Sequence, residues 1–256
     1  MRIVDLSHTI ETLPEDLPAF MRVEVSYTDH TAGAVDMETA FGVPARLLRN
    51  GEGPAGERMS IGTHAATHVD APYHYNSQIQ GTPAETIDQL PLERFFAPGV
   101  VVEAREKPEG DAITREEMQS GIAAAGHDLR PGDIVLVHTG RDAFYHERDY
   151  MLRGCGVTAE ATRWLYQEGI RVMGIDAWGW DAPLDRQAAV ALERDEPGIF
   201  WAAHQVDLPY SQIERMTNLG ELPPTGFTVA CFPLKIKGAS AGLTRAVAIL
   251  EDGGAG

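Results

Sequence analysis

Residues 158–176 read TAEATRWLYQEGIRVMGID, and this stretch decides the architecture. Thr158 has the side chain of a helix N-cap, whose hydroxyl accepts from an N–H of the first turn. The helix formers AEATRWLYQE run from it to Gly169, the residue type that most easily takes the left-handed turn closing a helix. The apolar run RVMGID follows at once. A helix feeding straight into an apolar strand is the repeating unit of an α/β layer. The same order occurs upstream, where Thr114 precedes REEMQSGIAAAG with Glu117 three residues on, a capping-box pattern. The strand-like run Asp133–His138 comes next.

Working outward, β-branched runs recur at Arg2–Leu6, Val23–Tyr27, Val100–Glu103, Phe227–Phe232 and Ala246–Leu250, most of them bounded by Gly, Pro or Asp. So many short strands beside two helix-led ones predict a mixed, partly antiparallel sheet with flanking helices. Asn50–Gly56, Glu106–Asp111 and Leu184–Phe200 read as loops, the last with a short helix around Arg186–Glu193. No repeat is visible and no segment looks like a linker, so a single domain is expected over 1–256, with the terminal EDGGAG fraying.

The chain has 256 residues, 43% of them hydrophobic, enough to bury a sizeable core. Its formal charge of -17, with no run of Lys or Arg, excludes a polyanionic partner such as nucleic acid or an acidic membrane surface, and leaves a small molecule. Cys155 and Cys231 are too few to staple a secreted scaffold and too distant to form a short metal-ligand pair, and are expected as buried reduced thiols. The opening MRIVDLSHTIETLPEDLP has polar residues where a secretory signal needs an apolar stretch, and no segment reaches membrane-helix length. A soluble, cytoplasmic protein is the expectation.

Chemistry concentrates in His64-Ala65-Ala66-Thr67-His68-Val69-Asp70-Ala71-Pro72-Tyr73-His74. In a straight strand at about 3.3 Å per residue, His64 and His68 would lie about 13 Å apart. Imidazole nitrogens must stand about 2.0–2.1 Å from a zinc ion, so one ion requires a bend between them, which Gly62, Ala65 and Ala66 permit. His68 and Asp70, two apart in an extended piece, share a side, and Pro72 ends the strand so that His74 folds back. Surface histidines beside a turn, or core histidines satisfied by hydrogen bonds, are the ordinary alternative. Three imidazoles and a carboxylate at this density favour a metal, zinc first and manganese second. Whether His74 closes the ligand shell or stands beside it stays open.

These residues resemble the putative cyclase family, which includes bacterial kynurenine formamidase and isatin hydrolase, with its His-x-Gly-Thr-His-x-Asp-Ala-Pro-x-His pattern. The resemblance extends to Asp5-Leu6-Ser7-His8, Thr139-Gly140, Gly174-Ile175-Asp176 with Asp181, His204, Ile213-Glu214, Asn218-Leu219 and Phe232-Pro233-Leu234-Lys235. It implies a swivelling β/β/α fold, a homo-oligomer (dimer or tetramer), and one or two metal ions per subunit. His64, His68 and Asp70 match the primary ligands. His74, His204 and Glu214 match residues that complete a second metal site or act on the substrate. Ala66 in place of glycine, Tyr75 in place of phenylalanine and a shorter His204-to-Glu214 spacing depart from the pattern and leave the substrate unassigned. Taken alone, Glu214 in the amphipathic IERMTNL stretch reads as a solvated charge of a helix or loop, and His204 as a hydrogen-bonded histidine.

A Lewis-acidic ion lowers the pKa of its water to about 7, which makes hydrolysis accessible near neutrality. His74 or Glu214 would then relay the proton to the leaving group while Asp70 stays a ligand. The leading function is cleavage of an amide, either an aryl formamide or a cyclic amide. A lactone or ester hydrolase and a non-catalytic metal-binding protein are the alternatives. Trp178 and Trp180, with Tyr73, Phe200 and Trp201, are expected either to wall a flat aromatic pocket or to pack as ordinary core. His8 is expected near the site, while His30, His127, His138 and His146 are read as surface or structural residues.

Overall fold

In the computed structural model of the chain, residues 1–13, 17 and 21–251 are described. The tail expected to fray lies, beyond Glu251, outside them. Numbered in chain order, the strands of interest are β1 (Arg2–Asp5), β2 (Val23–Thr28), β3 (Gly56–Ile61), β4 (His68–Asp70), β5 (Phe96–Glu103), β6 (Ile134–His138), β7 (Val172–Ile175), β8 (Ser211–Glu214), β9 (Phe227–Ala230), β10 (Ala241–Leu243) and β11 (Val247–Leu250). The α-helices are α1 (His30–Phe41), α2 (Pro72–Tyr75), α3 (Arg115–Ala124), α4 (Ala159–Gln167) and α5 (Leu184–Arg194). None of them is long and apolar enough to cross a membrane. The chain forms two compact units, Ile10–Ala65 and the combination of Met1–Thr9 with Ala66–Gly256.

The smaller unit pairs β2 antiparallel with β3, from Val23 opposite Ile61 to Thr28 opposite Gly56. Between them runs α1, started by Asp29, whose side chain accepts from Ala32 N–H, and ended by Gly42 at φ 68°. The sequence gives no warning of this helix, because it buries only Gly33 and Ala34 and so carries no apolar stripe. Gly33 and Gly53 nest backbone to backbone, and a Cβ on Gly33 would stand 1.9 Å from Pro54 O.

In the larger unit nine strands form one sheet in the order β1-β11-β9-β5-β6-β7-β8-β4-β10. Its centre, β5-β6-β7-β8, is parallel, and every other pairing is antiparallel. Helices α3, α4 and α5 are the successive crossovers of that parallel core, so the α/β layer read from the Thr158 stretch is its centre and the mixed sheet is as expected. Thr114 and Thr158 both cap as predicted, Thr114 with the full reciprocal box to Glu117. The helix expected inside Leu184–Phe200 is α5.

Alternation along the central strands sorts their side chains onto two faces. Val100, Val102, Val135, Val137, Met173 and Ile175 meet Met118 and Ile122 of α3 and Trp164 and Leu165 of α4. Val101, Ile134, Leu136 and Val172 meet Val4, Leu6, Val69 and Ile213 on the other side. Burial on both faces explains why β6 reads as an unbroken apolar run. Cys155 and Cys231 are both buried and free, as expected. The carboxyl ends of the parallel strands deliver Glu103, His138, Asp176 and Glu214 to one edge of the sheet, the edge at which open α/β sheets bind ligands.

Leu136 is fully buried on β6, and a Cβ on Gly174 of β7 would lie 2.7 Å from its Cδ2, so little slack surrounds it. Leu136→Ala should lower unfolding free energy by about 2–5 kcal/mol, the usual range for a truncated core leucine. A urea midpoint unchanged from the parent would contradict this packing.

Candidate metal centre

Strand β4 is three residues long and lies between β8 and β10. Val69 points into the core, which turns His68 and Asp70 together to the opposite face. Register places Glu214 of β8 directly opposite His68. His68 and Asp70 are fully buried and Glu214 is 5% exposed. One donor atom from each of the three lies within 4.8 Å of the others. His68 Nε2 is 3.2 Å from Asp70 Oδ1 and 3.7 Å from Glu214 Oε2. The sequence-based reading of Glu214 as a solvated charge is therefore corrected. Its strand is held by partners on both sides, which local periodicity cannot reveal.

Two buried carboxylates around one imidazole are costly unless a cation joins them. His68 Nδ1 is 2.6 Å from Ala66 O, an acceptor only, so this nitrogen carries the proton and Nε2 turns toward the carboxylates with its lone pair or a proton. The donor set, one imidazole nitrogen and carboxylate oxygens, all buried, fits a divalent ion of the zinc or manganese type.

Pro72 stands at the first position of α2, where its missing N–H costs nothing, and His74 follows on that turn. Its ring meets Trp201 edge-on at 5.1 Å and His204 at 5.8 Å between centroids. His64 lies half-buried in the turn that closes the smaller unit, where Ala65 N–H donates to Gly62 O at 3.0 Å.

His204 is organised by Asp181, a residue the local pattern did not single out as a site residue. Asp181 accepts from His204 N–H and Ala203 N–H at 3.0 Å each and pairs with His204 Nδ1 at 2.5 Å. The other ring nitrogen, Nε2, is 3.4 Å from Glu214 Oε1, which also accepts Trp180 N–H at 2.8 Å. Burial alone would lower the pKa of His204, but the two carboxylates outweigh it and push it up to about 10. Burial and Asp70 push Glu214 upward, and His204 and His68 more than reverse this, leaving it below the usual carboxylate range.

The aromatic residues divide. Trp201 stacks on His204 at 4.5 Å and so belongs to the site. Trp180 is fully buried with its indole N–H on Thr162 Oγ1 at 2.9 Å, so it is core and not pocket wall. Tyr73 and Phe200 are exposed. His8 stacks flat on Tyr145 at 3.7 Å, and burial drives its pKa down to about 4 against the pull of Asp142. His138 hydrogen-bonds Glu103 at 3.1 Å. Asp176 accepts from Thr139 N–H, Thr139 Oγ1 and Gly140 N–H, tying the ends of β6 and β7 together.

A sequence profile for a family described as putative cyclase matches residues 4–182. Kynurenine formamidase of Erythrobacter litoralis (strain HTCC2594) is 28% identical over 191 residues, 74% of this chain and 74% of that protein. Isatin hydrolase of Roseibium aggregatum is 26% identical over 205 residues, 75% of this chain and 73% of that protein. Isatin hydrolase A from Ralstonia solanacearum superposes with a TM-score of 0.76 at 23% identity, covering 98% of this chain and 92% of that one. The α/β fold with a mixed sheet is shared with that structure, as the resemblance implied.

With no ion bound, His204 should carry protons on both ring nitrogens at about pH 8, readable in its 15N imidazole shifts. A ring with one proton there would contradict the arrangement. The stability contributed by this imidazolium is complete below the ordinary value of 6.5 and is lost as pH rises toward about 10. Urea unfolding of the chelated protein should therefore ease across that interval, and His204→Gln should flatten the trend.

Proposed function

The chain belongs to the putative cyclase family, and from that premise we propose that it is a metal-dependent hydrolase cleaving the carbon–nitrogen bond of an amide in a small aromatic molecule. The observation that carries this reading is the buried His68–Asp70–Glu214 group. Relatives named kynurenine formamidase and isatin hydrolase support it, since a formamide and the lactam of isatin share a carbonyl bonded to nitrogen.

His68 Nε2, Asp70 and Glu214 Oε2 would hold the ion. Zinc is the first choice and manganese the second. A divalent ion here supplies Lewis acidity, polarising the carbonyl and making water acidic near neutrality. The remaining chemistry belongs to side chains. Trp180 N–H fixes Glu214 Oε1, so Oε2 keeps a constant direction toward His68. Asp181 holds His204 by Nδ1, which orients Nε2 toward Glu214 and lets it store a proton for the leaving nitrogen. His74, beside His204 and Trp201, is the second proton carrier and stands where substrate meets the centre. Because His204 Nε2 is already paired with Glu214, a single ion is the simpler loading.

Metal analysis should find one ion per chain, lost together with activity in His68→Ala. His74→Ala should retain more metal while kcat falls about 10²–10⁴-fold. Two ions per chain would make His204 a ligand of the second. Aryl formamide, isatin-like lactam and lactone, assayed before and after chelation, separate amide from ester chemistry. A His68→Ala protein fully active without metal would sink the proposal.

A further inference from the structure

Arg215 is a buried cation that the hydrolytic chemistry does not use. It is 3% exposed. Among the described residues its side chain makes one hydrogen bond, from Nε to Trp178 O at 3.4 Å, and no carboxylate pairs with it. A guanidinium has five N–H donors, so both Nη groups lack a protein acceptor there. The side chain is almost wholly enclosed, but its Nη groups are not sealed off and stay open to an acceptor that the protein does not supply.

The backbone at this position is also unusual. Arg215 has φ 56°, in the left-handed region where glycine or asparagine is least strained. It is clamped there: its N–H donates to Ala177 O at 3.1 Å, and its carbonyl accepts from Thr67 Oγ1 at 2.5 Å. Thr67 Oγ1 also accepts His8 N–H at 3.0 Å, and Ser7 bridges Met216, so the His8 segment runs beside Arg215. The guanidinium carbon sits over the Trp178 ring at 5.0 Å from its centre. Trp178 Nε1 and His8 Nε2 are both buried with no hydrogen-bond partner. Trp178 lies on the loop whose Trp180 N–H holds Glu214, and Arg215 is tied to that loop through Ala177 O and Trp178 O.

An acidic chain of formal charge -17 repels small anions in general, so a buried arginine beside the centre is a selective device. A planar fork lying on an aromatic face matches a planar two-oxygen acceptor better than a tetrahedral one. We propose that Arg215 grips a carboxylate carried by the substrate, with Trp178 Nε1 and His8 as flanking polar groups, so that the amide turned over is an anionic aromatic acid. This rests on the hydrolase reading of the adjacent centre.

Benzoate and its neutral isostere benzamide, titrated calorimetrically into the metal-loaded protein, test the grip without turnover. The parent should bind benzoate at least tenfold more tightly than benzamide. Arg215→Asn, suited to the left-handed backbone, should unfold no lower in temperature than the parent and lose that preference. Arg215→Lys keeps a charge near Glu214 and Asp70 but not the fork, and should lose at least threefold of it, which keeps the comparison valid if the asparagine variant sheds its ion. A benzoate preference undiminished in both variants overturns the proposal. Benzoate binding that depends on Arg215, in a protein that hydrolyses none of the formamide, lactam and lactone set, would leave the anion site standing and remove the hydrolase reading instead.

Discussion

The pairing of His68 with Glu214 across two neighbouring strands is the constraint on which the centre depends. One strand comes from the parallel core and the other is a three-residue insertion beside it. A slip of one residue would send Val69 to the polar side and His68 and Asp70 into the apolar layer. The apolar layer on the Val69 side therefore fixes the register, since Val69 and Ile213 are both fully buried in it. The polar geometry follows from the apolar packing.

Around that pair, backbone N–H groups do much of the positioning. Asp181 is held by two of them, Asp176 by two more, and Glu214 by that of Trp180. Amide donors of ordered loops keep fixed directions and lose little entropy when they bind a carboxylate. The loop after β7 serves two residues with opposite groups: the carbonyls of Ala177 and Trp178 accept from Arg215, while Trp180 N–H donates to Glu214.

What the sequence made legible was local. The i, i+2 spacing of His68 and Asp70 needs only an extended backbone, and the caps at Thr114 and Thr158 need only the first turn of a helix. Only the family resemblance pointed to Glu214; local pattern read it as a solvated charge, because its strand character comes from pairing with segments distant in sequence while IERMTNL on its own mimics an amphipathic turn. Asp181 was named only as part of the resemblance and given no role, because its partner, His204, lies 23 residues away and local patterning has no access to that contact. Two tryptophans separated by one glycine gave no hint of which faces inward, and tertiary contact with α4 decided for Trp180. Helix α1 went unread for want of an apolar stripe.

Trp180 joins the interior to the chemistry through one residue. Its indole is anchored on Thr162 of α4, and its amide hydrogen holds the carboxylate of Glu214. The catalytic footprint of the chain therefore reaches a helix that touches no reactant. In a mutational survey, inactivating changes would map not only around the histidines but also along the Thr162 side of α4, and lineages that lost the threonine would have to re-anchor the indole to keep the same turnover.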